Sequence, residues 1–331
     1  MTREHGRRGE PGAGRGAVLA VLDLGSNNCR LLVARATQDG SFRVFDSFSR
    51  IVRLGEGVAQ TGRLADAAIE RTLAALAVCA EHIRAAGATH VRAIATAACR
   101  GASNAYVLVA RARAETGIAL EIVTSEEEAR LAAIGCAPLI GASFDGALVF
   151  DIGGGSTEVI WMRRERGEAR VVHSASLAVG VVSLAEDAGA LDAQGFAAMR
   201  ERLVARFAKV RAEMDAHGGF APERHHLLGT SGTVTTLAAV SMGLERYVRV
   251  RVDASWHRCA DVLEVVDRLI ALDHDGRAAI GPIGPDRADL VLPGCAVFAA
   301  IHALWPCAQL RVADRGLREG MLRELLSEAM A

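Results

Sequence analysis

The sequence predicts a duplicated α/β protein, with two related domains separated by a cleft. Three observations carry this. Strand-like and helix-like segments alternate along the whole chain, as in layered α/β domains. The order restarts near the middle. Each half opens with a β-hairpin whose turn carries Asp-x-Gly, "AVLDLGSNNCRLLVA" at 20–34 and "VFDIGGGSTEVIWM" at 149–162, a domain's length apart.

In the first half, "AVLAVLDL", "CRLLVARA" and "FRVFDSFSRIVRL" are strand-like, each followed by turn residues. "LADAAIERTLAALAVCAEHIRAAG" has helical spacing and stops at Gly87. A strand "VRAIATAA", a helix from about Ser103 to Thr116 and a strand "LEIVT" follow. The next helix opens at Ser125, with Glu128 three residues later as in a capping box. The second half repeats the plan with strands "ALVFDIG", "TEVIWMRR" and "ARVVHSASL" and a long amphipathic helix over about 194–216. "HHLLGTSG" then runs as a strand into a glycine turn, with helix "TVTTLAAVSM" after it. His225 and His226 are strand-edge residues rather than ligands. Two further helices, strand "QLRVADRG" and helix "LREGMLRELLSEAM" complete the order. The expected division is a tail over 1–16, a first domain over 17–126 and a second over 127–311. A last helix, 312–331, packs back on the first domain, with hinges near 125 and 310.

At 331 residues, 51% of them hydrophobic, the chain can bury a core of this size. Its net charge is −1 with both signs mixed throughout, which gives no electrostatic footprint for nucleic acid or a membrane surface. Lys209 is the one lysine, so Walker-type phosphate loops and most lysine chemistry are excluded. The seven cysteines are scattered without C-x-x-C pairs, which argues against a disulfide framework or zinc site and fits a reducing compartment. The opening "MTREHGRRGEPGAGRG" lacks an apolar stretch and is expected to be a disordered tail rather than a signal peptide. "LVLPGCAVFAAIHALW" is shorter than the roughly 20 residues of a membrane span. The expectation is a cytoplasmic protein with no nucleic-acid or membrane partner.

Glycine turns let backbone N–H groups approach an anion and form a concave nest. Gly25, Ser26, Asn27 and Asn28 supply such donors in the first hairpin, and Gly153, Gly154, Gly155, Ser156 and Thr157 in the second. A third turn, Gly229 to Thr233 with Ser231 and Gly232, leads into a helix whose N-terminus also favours phosphate. Asp23 and Asp151 would repel phosphate, and a divalent cation such as Mg2+ resolves the conflict, since it is commonly held by one or two carboxylates plus substrate oxygens. Glu158, on the far limb of the second hairpin, can share that ion with Asp151. "TSEEEARLAAIG" at 124–135 reads either as an acidic helix start favoured by the helix dipole or as the source of a general base. Glu128 shares a helix side with Leu131 and Ala132, so it is the glutamate that points inward. Arg100, just after a buried strand, is either a surface arginine or a phosphate clamp.

Taken in order, "DLGSNNCRLL", "RLGEGV", "ATAACRGASN", "SEEEARL", "FDIGGGSTEV", "GTSGTVTTLA" and "GLREGML" resemble the exopolyphosphatase / guanosine pentaphosphate phosphohydrolase family, from Ala17 to Met330. The resemblance implies the duplicated ribonuclease H-like architecture of the actin, sugar-kinase and heat-shock-chaperone superfold, with the active site in the interdomain cleft. It implies release of the terminal phosphate of inorganic polyphosphate, or of the 5′ γ-phosphate of guanosine pentaphosphate, and it allows a homodimer. By position, the family's catalytic glutamate falls on Glu128 and its phosphate-clamping arginine on Arg100. Its metal and water-handling carboxylates fall on Asp151 and Glu158, and its phosphate loops on Gly25 to Asn28 and Gly153 to Thr157. Longer members continue into a C-terminal helical region that this chain does not show, which bears on polymer length and substrate balance. The rival readings are an ATP-dependent kinase or ATPase of the same superfold and a sensor that binds the alarmone without hydrolysing it.

Overall fold

A computed structural model describes residues 16–188 and 191–330. Apart from Gly16, the expected tail lies outside the described residues. The first sheet holds β1 (Val18–Leu24), β2 (Asn28–Ala36), β3 (Phe42–Ile51), β4 (His90–Ala95) and β5 (Leu120–Ile122) in the order β3-β2-β1-β4-β5. The second holds β6 (Gly146–Ile152), β7 (Thr157–Glu165), β8 (Glu168–Leu177), β9 (His225–Thr230), β10 (Trp256–Arg258) and β11 (Gln309–Ala313) in the order β10-β11-β9-β6-β7-β8.

The two orders superimpose strand for strand, with β10 added at one edge. In each sheet an antiparallel hairpin joins the first two strands, and the fourth lies parallel to the first. The register matches as well: Asp23 faces Arg30 across the first hairpin, and Asp151 faces Glu158 across the second. β1 and β6 are apolar and buried nearly throughout because both sheet faces are covered, whereas β3 at one edge alternates exposed and half-buried residues. The duplication expected from the hairpins is the architecture found.

The covering helices exchange between domains. Helices Asp66–Ala86 and Ala105–Thr116 bury one face of the first sheet. Its other face is closed by the last helix, Leu317–Met330, through Met321, Leu322, Leu325 and Leu326. Helix Ser125–Cys136, which leaves the first domain, lays Ala129, Ala132, Ala133 and Cys136 on the second sheet. The two exchanged helices touch backbone to backbone. A Cβ on Gly135 would stand 1.9 Å from the Gly316 carbonyl oxygen, and one on Gly320 would stand 2.0 Å from that of Leu131.

Local differences from the sequence reading have simple causes. Strand β4 stops at Ala95: the Thr96 amide makes the last ladder bond, to the Leu24 carbonyl, and the chain then enters a single helical turn, Ala97–Arg100. The interdomain helix is capped by Thr124, whose side chain accepts from the Glu127 amide, rather than by Ser125. Between β9 and β11 the chain forms, after helix Ser231–Ser241, two long helices, Cys259–Ile270 and Val291–Leu304, and two short ones, Arg249–Val252 and His274–Ala278. Pro293 fits the first turn of its helix, where its missing N–H has no partner to lose. Among the described residues no helix is long and apolar enough to cross a membrane.

Candidate active site

The two hairpin turns close in the same way. The Gly25 amide donates to the Asn28 carbonyl and the Gly153 amide to the Ser156 carbonyl, each at 2.9 Å. Each turn is braced from outside. Asn27 O receives the Val52 and Arg53 amides and Ser26 O the Gly55 amide, so the "RLGEG" segment holds the first turn. The Val181 and Val182 amides do the same for Gly153 O and Gly154 O. With the carbonyls engaged on the outside, the amides of Ser26, Asn27, Gly154 and Gly155 donate to no protein acceptor among the described residues.

The turns press on one another across the domain boundary. A Cβ on Gly154 would lie 3.0 Å from Ser26 Cβ, and one on Gly155 would lie 2.7 Å from Ser26 Oγ. Neither glycine has a left-handed backbone. Close approach is therefore what requires glycine here, not the unusual dihedrals that glycine-rich turns often need.

Between the turns lies a cavity of about 140 Å3, space on the order of ten water molecules. Asp23, Gly25 to Asn28, Glu128, Asp151, Gly153 to Ser156, Glu158, Ser231, Gly232 and Thr233 all line it. Three expected residues do not. Gly229 lies inside β9, where a Cβ would meet Phe150 at 2.6 Å, so it serves packing. Thr157 is fully buried and donates its hydroxyl to Val179 O at 2.7 Å. Arg100 sits behind Glu128, giving Nη1 to Glu128 Oε2 at 2.7 Å and to Val123 O at 3.1 Å. Ser231 lines the cavity, but its hydroxyl is spent on Ile152 O at 2.7 Å, on a left-handed backbone with φ 77°. What its segment offers an anion is the free amides of a helix start.

Six carboxylates line the cavity: Asp314 and Glu319 pair with Arg249, and Asp23, Glu128, Asp151 and Glu158 are the other four. Burial pushes the Asp151 carboxyl up to about 7, helped by the charge of Glu158. Burial also raises Asp23, against the pull of Arg30 and Arg318. Glu158 is raised by burial, partly offset by the Ser156 and Ser176 hydroxyls. Glu128 is raised well above the ordinary range by burial and by Glu158, and the Arg100 contact does not cancel this. Among the described residues no three His, Cys, Asp or Glu side chains gather into a ready cation site. Mg2+ needs only one or two carboxylates beside phosphate oxygens and water. Asp151 and Glu158, cross-strand neighbours whose charges repel, fit that requirement.

Four cleft arginines escaped the sequence reading, of which Arg315 is paired with Asp253. Arg30, Arg287 and Arg318 line the cavity, and none makes a salt bridge among the described residues. Arg287 donates to Thr236 Oγ1 at 3.1 Å, and its guanidinium lies 3.8 Å from a Cβ built on Gly232, with Arg30 Nη2 at 4.0 Å. Burial lowers the proton affinity of Arg287 and Arg318, and the charge of Arg30 adds to it in both. Such a group of guanidiniums asks for a polyanion. Arg30 carried a usable signal, since it occupies in the first hairpin the place of Glu158 in the second. Arg287 and Arg318 carried none.

A profile of the Ppx/GppA phosphatase family matches residues 32–329. An "Exopolyphosphatase 2" of Mycobacterium tuberculosis is 35% identical over 294 residues, covering 84% of this chain and 88% of that protein. A "Guanosine-5'-triphosphate,3'-diphosphate pyrophosphatase" of Vibrio vulnificus is 30% identical over 321 residues, covering 96% of this chain and 61% of that longer protein. Among solved structures, the crystal structure of the Aquifex aeolicus Ppx/GppA family member superimposes with a TM-score of 0.77 at 29% identity, covering 94% of this chain and 98% of that one.

Proposed function

The chain belongs to the Ppx/GppA phosphatase family, with its two-domain actin-like fold and hydrolase chemistry, and from that premise we propose that it removes the terminal phosphate of inorganic polyphosphate, the 5′ γ-phosphate of guanosine pentaphosphate, or both. One observation carries the reading: unpaired guanidiniums and buried carboxylates converge between two matched glycine turns, one from each domain. The turn amides and Arg30, Arg287 and Arg318 bind the phosphoanhydride end. Asp151 and Glu158 would hold Mg2+, which when bound would neutralise charge on phosphate oxygens.

Glu128 acts on the water. Burial and the charge of Glu158 raise the proton affinity of Glu128, which makes the ionised carboxylate a stronger base toward water. Arg100 fixes the carboxylate through Oε2, leaving Oε1 to orient a water. Phosphoryl transfer needs alignment and charge neutralisation more than covalent participation, and these groups supply both.

The test is phosphate release from long-chain polyphosphate and from guanosine pentaphosphate, side by side, with and without Mg2+. Mg2+-dependent release from at least one substrate is expected. Tight binding without release, or phosphate transfer from ATP to an acceptor in place of hydrolysis, overturns the proposal.

A further inference from the structure

We propose that Ser176, which lines no part of the cavity, is a positioning residue that holds Glu158 in line with Asp151. This rests on the reading of Glu158 as a cation-holding carboxylate. Register places Asp151, Glu158 and Ser176 side by side on three adjacent strands, β6, β7 and β8. Directly opposed residues of antiparallel strands project to the same face, so the three form one row at the cleft end of the sheet. Ser176 Oγ donates to Glu158 Oε1 at 2.8 Å, and Glu158 is only 2% exposed.

A carboxylate in that position has a competing attraction. Arg100 draws Glu158 electrostatically while already bonded to Glu128 at 2.7 Å. Repulsion from Asp151 pushes Glu158 the other way, along the row toward Ser176. The Ser176 bond opposes the pull of Arg100 and receives the carboxylate that Asp151 repels. The chain beyond Ser176 is itself pinned, since Thr157 donates to Val179 O at 2.7 Å. The first domain provides an internal control. Its corresponding row is Asp23, Arg30 and Ser49, with a cation in the middle. Ser49 is exposed, and its hydroxyl makes no hydrogen bond among the described residues. The serine bond therefore follows the carboxylate, not the strand pairing.

The experiment compares Ser176→Ala, Ser176→Thr, Glu158→Gln and the double variant Ser176→Ala/Glu158→Gln. Each full chain is read by Mg2+ titration calorimetry without substrate, by kcat and KM, and by thermal midpoint. Ser176→Ala is expected to weaken Mg2+ binding about tenfold, the factor a lost hydrogen bond to a charged group amounts to. It should lower kcat at limiting Mg2+ with KM for phosphate substrate and thermal midpoint nearly unchanged, and Ser176→Thr should restore both. In the Glu158→Gln background the Ser176→Ala change should add nothing. If Ser176→Ala binds Mg2+ like the wild type while Glu158→Gln does not, the serine assignment is wrong and the reading of Glu158 stands. If Ser176→Ala costs as much in the Glu158→Gln background as in the wild type, the serine acts elsewhere and the assignment is equally wrong. Wild-type Mg2+ affinity and turnover in Glu158→Gln would overturn the reading of Glu158 and the inference with it.

Discussion

Asp151 shows what burial does to a carboxylate that must later hold a cation. Its carboxyl is pushed up to about 7 by burial and by Glu158, whereas in the unfolded chain it returns to about 3.8. Because the folded value is the higher one, the folded state holds this proton more tightly. The stabilisation is fully present below about 3.8, falls as pH rises, and is gone above about 7. Without divalent cation, thermal stability should therefore decline across that interval, and Asp151→Asn should flatten the decline. Added Mg2+ should recover more stability at pH 8 than at pH 5.5, since only the ionised carboxylate binds it. Thermal melts at matched ionic strength check all three outcomes. At this scale the four acids were legible, because aspartate-glycine turns and a glutamate run are contiguous signals. Arg287 and Arg318 were not, because single arginines in an arginine-rich chain become a group only when distant segments meet. The partner of Arg100 was hidden for the same reason: Glu128 lies 28 positions away.

At the scale of elements, the interdomain helix depends on which residue caps it. "TSEEE" contains two overlapping boxes, Thr124 with Glu127 and Ser125 with Glu128, and local chemistry allows either. Strand β5 decides by ending at Ile122, which sets Thr124 in extended backbone as the cap. Glu128 thereby enters the helix with its amide on Thr124 O at 3.0 Å and its side chain, held by Arg100, lining the cleft. Glu127 instead faces Arg130 and Arg92, which hold its carboxyl down to about 2. Thr124→Ala should cost about 1 kcal/mol in denaturant unfolding, the usual cost of a lost N-cap, and Ser125→Ala much less. Gly180, in the brace of the second turn, gives another element-scale outcome. A Cβ there would fall 2.3 Å from the Gly154 carbonyl carbon, so Gly180→Ala must displace the turn. Phosphate release should fall by at least tenfold, with loss of substrate binding measured by calorimetry.

The molecule as a whole is two sheets joined by exchanged helices. The duplication was readable from hairpin spacing, since register and turn chemistry are local. The backbone crossing of helices Ser125–Cys136 and Leu317–Met330 was not, because Gly135, Gly316 and Gly320 carry no local sign of what they will touch. Around the crossing, Arg92 of the first sheet bonds Glu127 at 3.0 Å and Glu324 at 2.8 Å, tying both helices to one domain. Gly135→Ala would drive a methyl group against the Gly316 carbonyl and should destabilise the protein by about 1–3 kcal/mol, the usual cost of overpacking. This crossing also places Glu128 between the domains, facing the turns of both. The most direct measurement is calorimetric substrate binding and steady-state phosphate release for Glu128→Gln in Mg2+. The account predicts near-normal affinity with turnover lowered by roughly two to four decades, the reach of a lost general base. Turnover within a few fold of wild type, or binding lost in step with turnover, would contradict it.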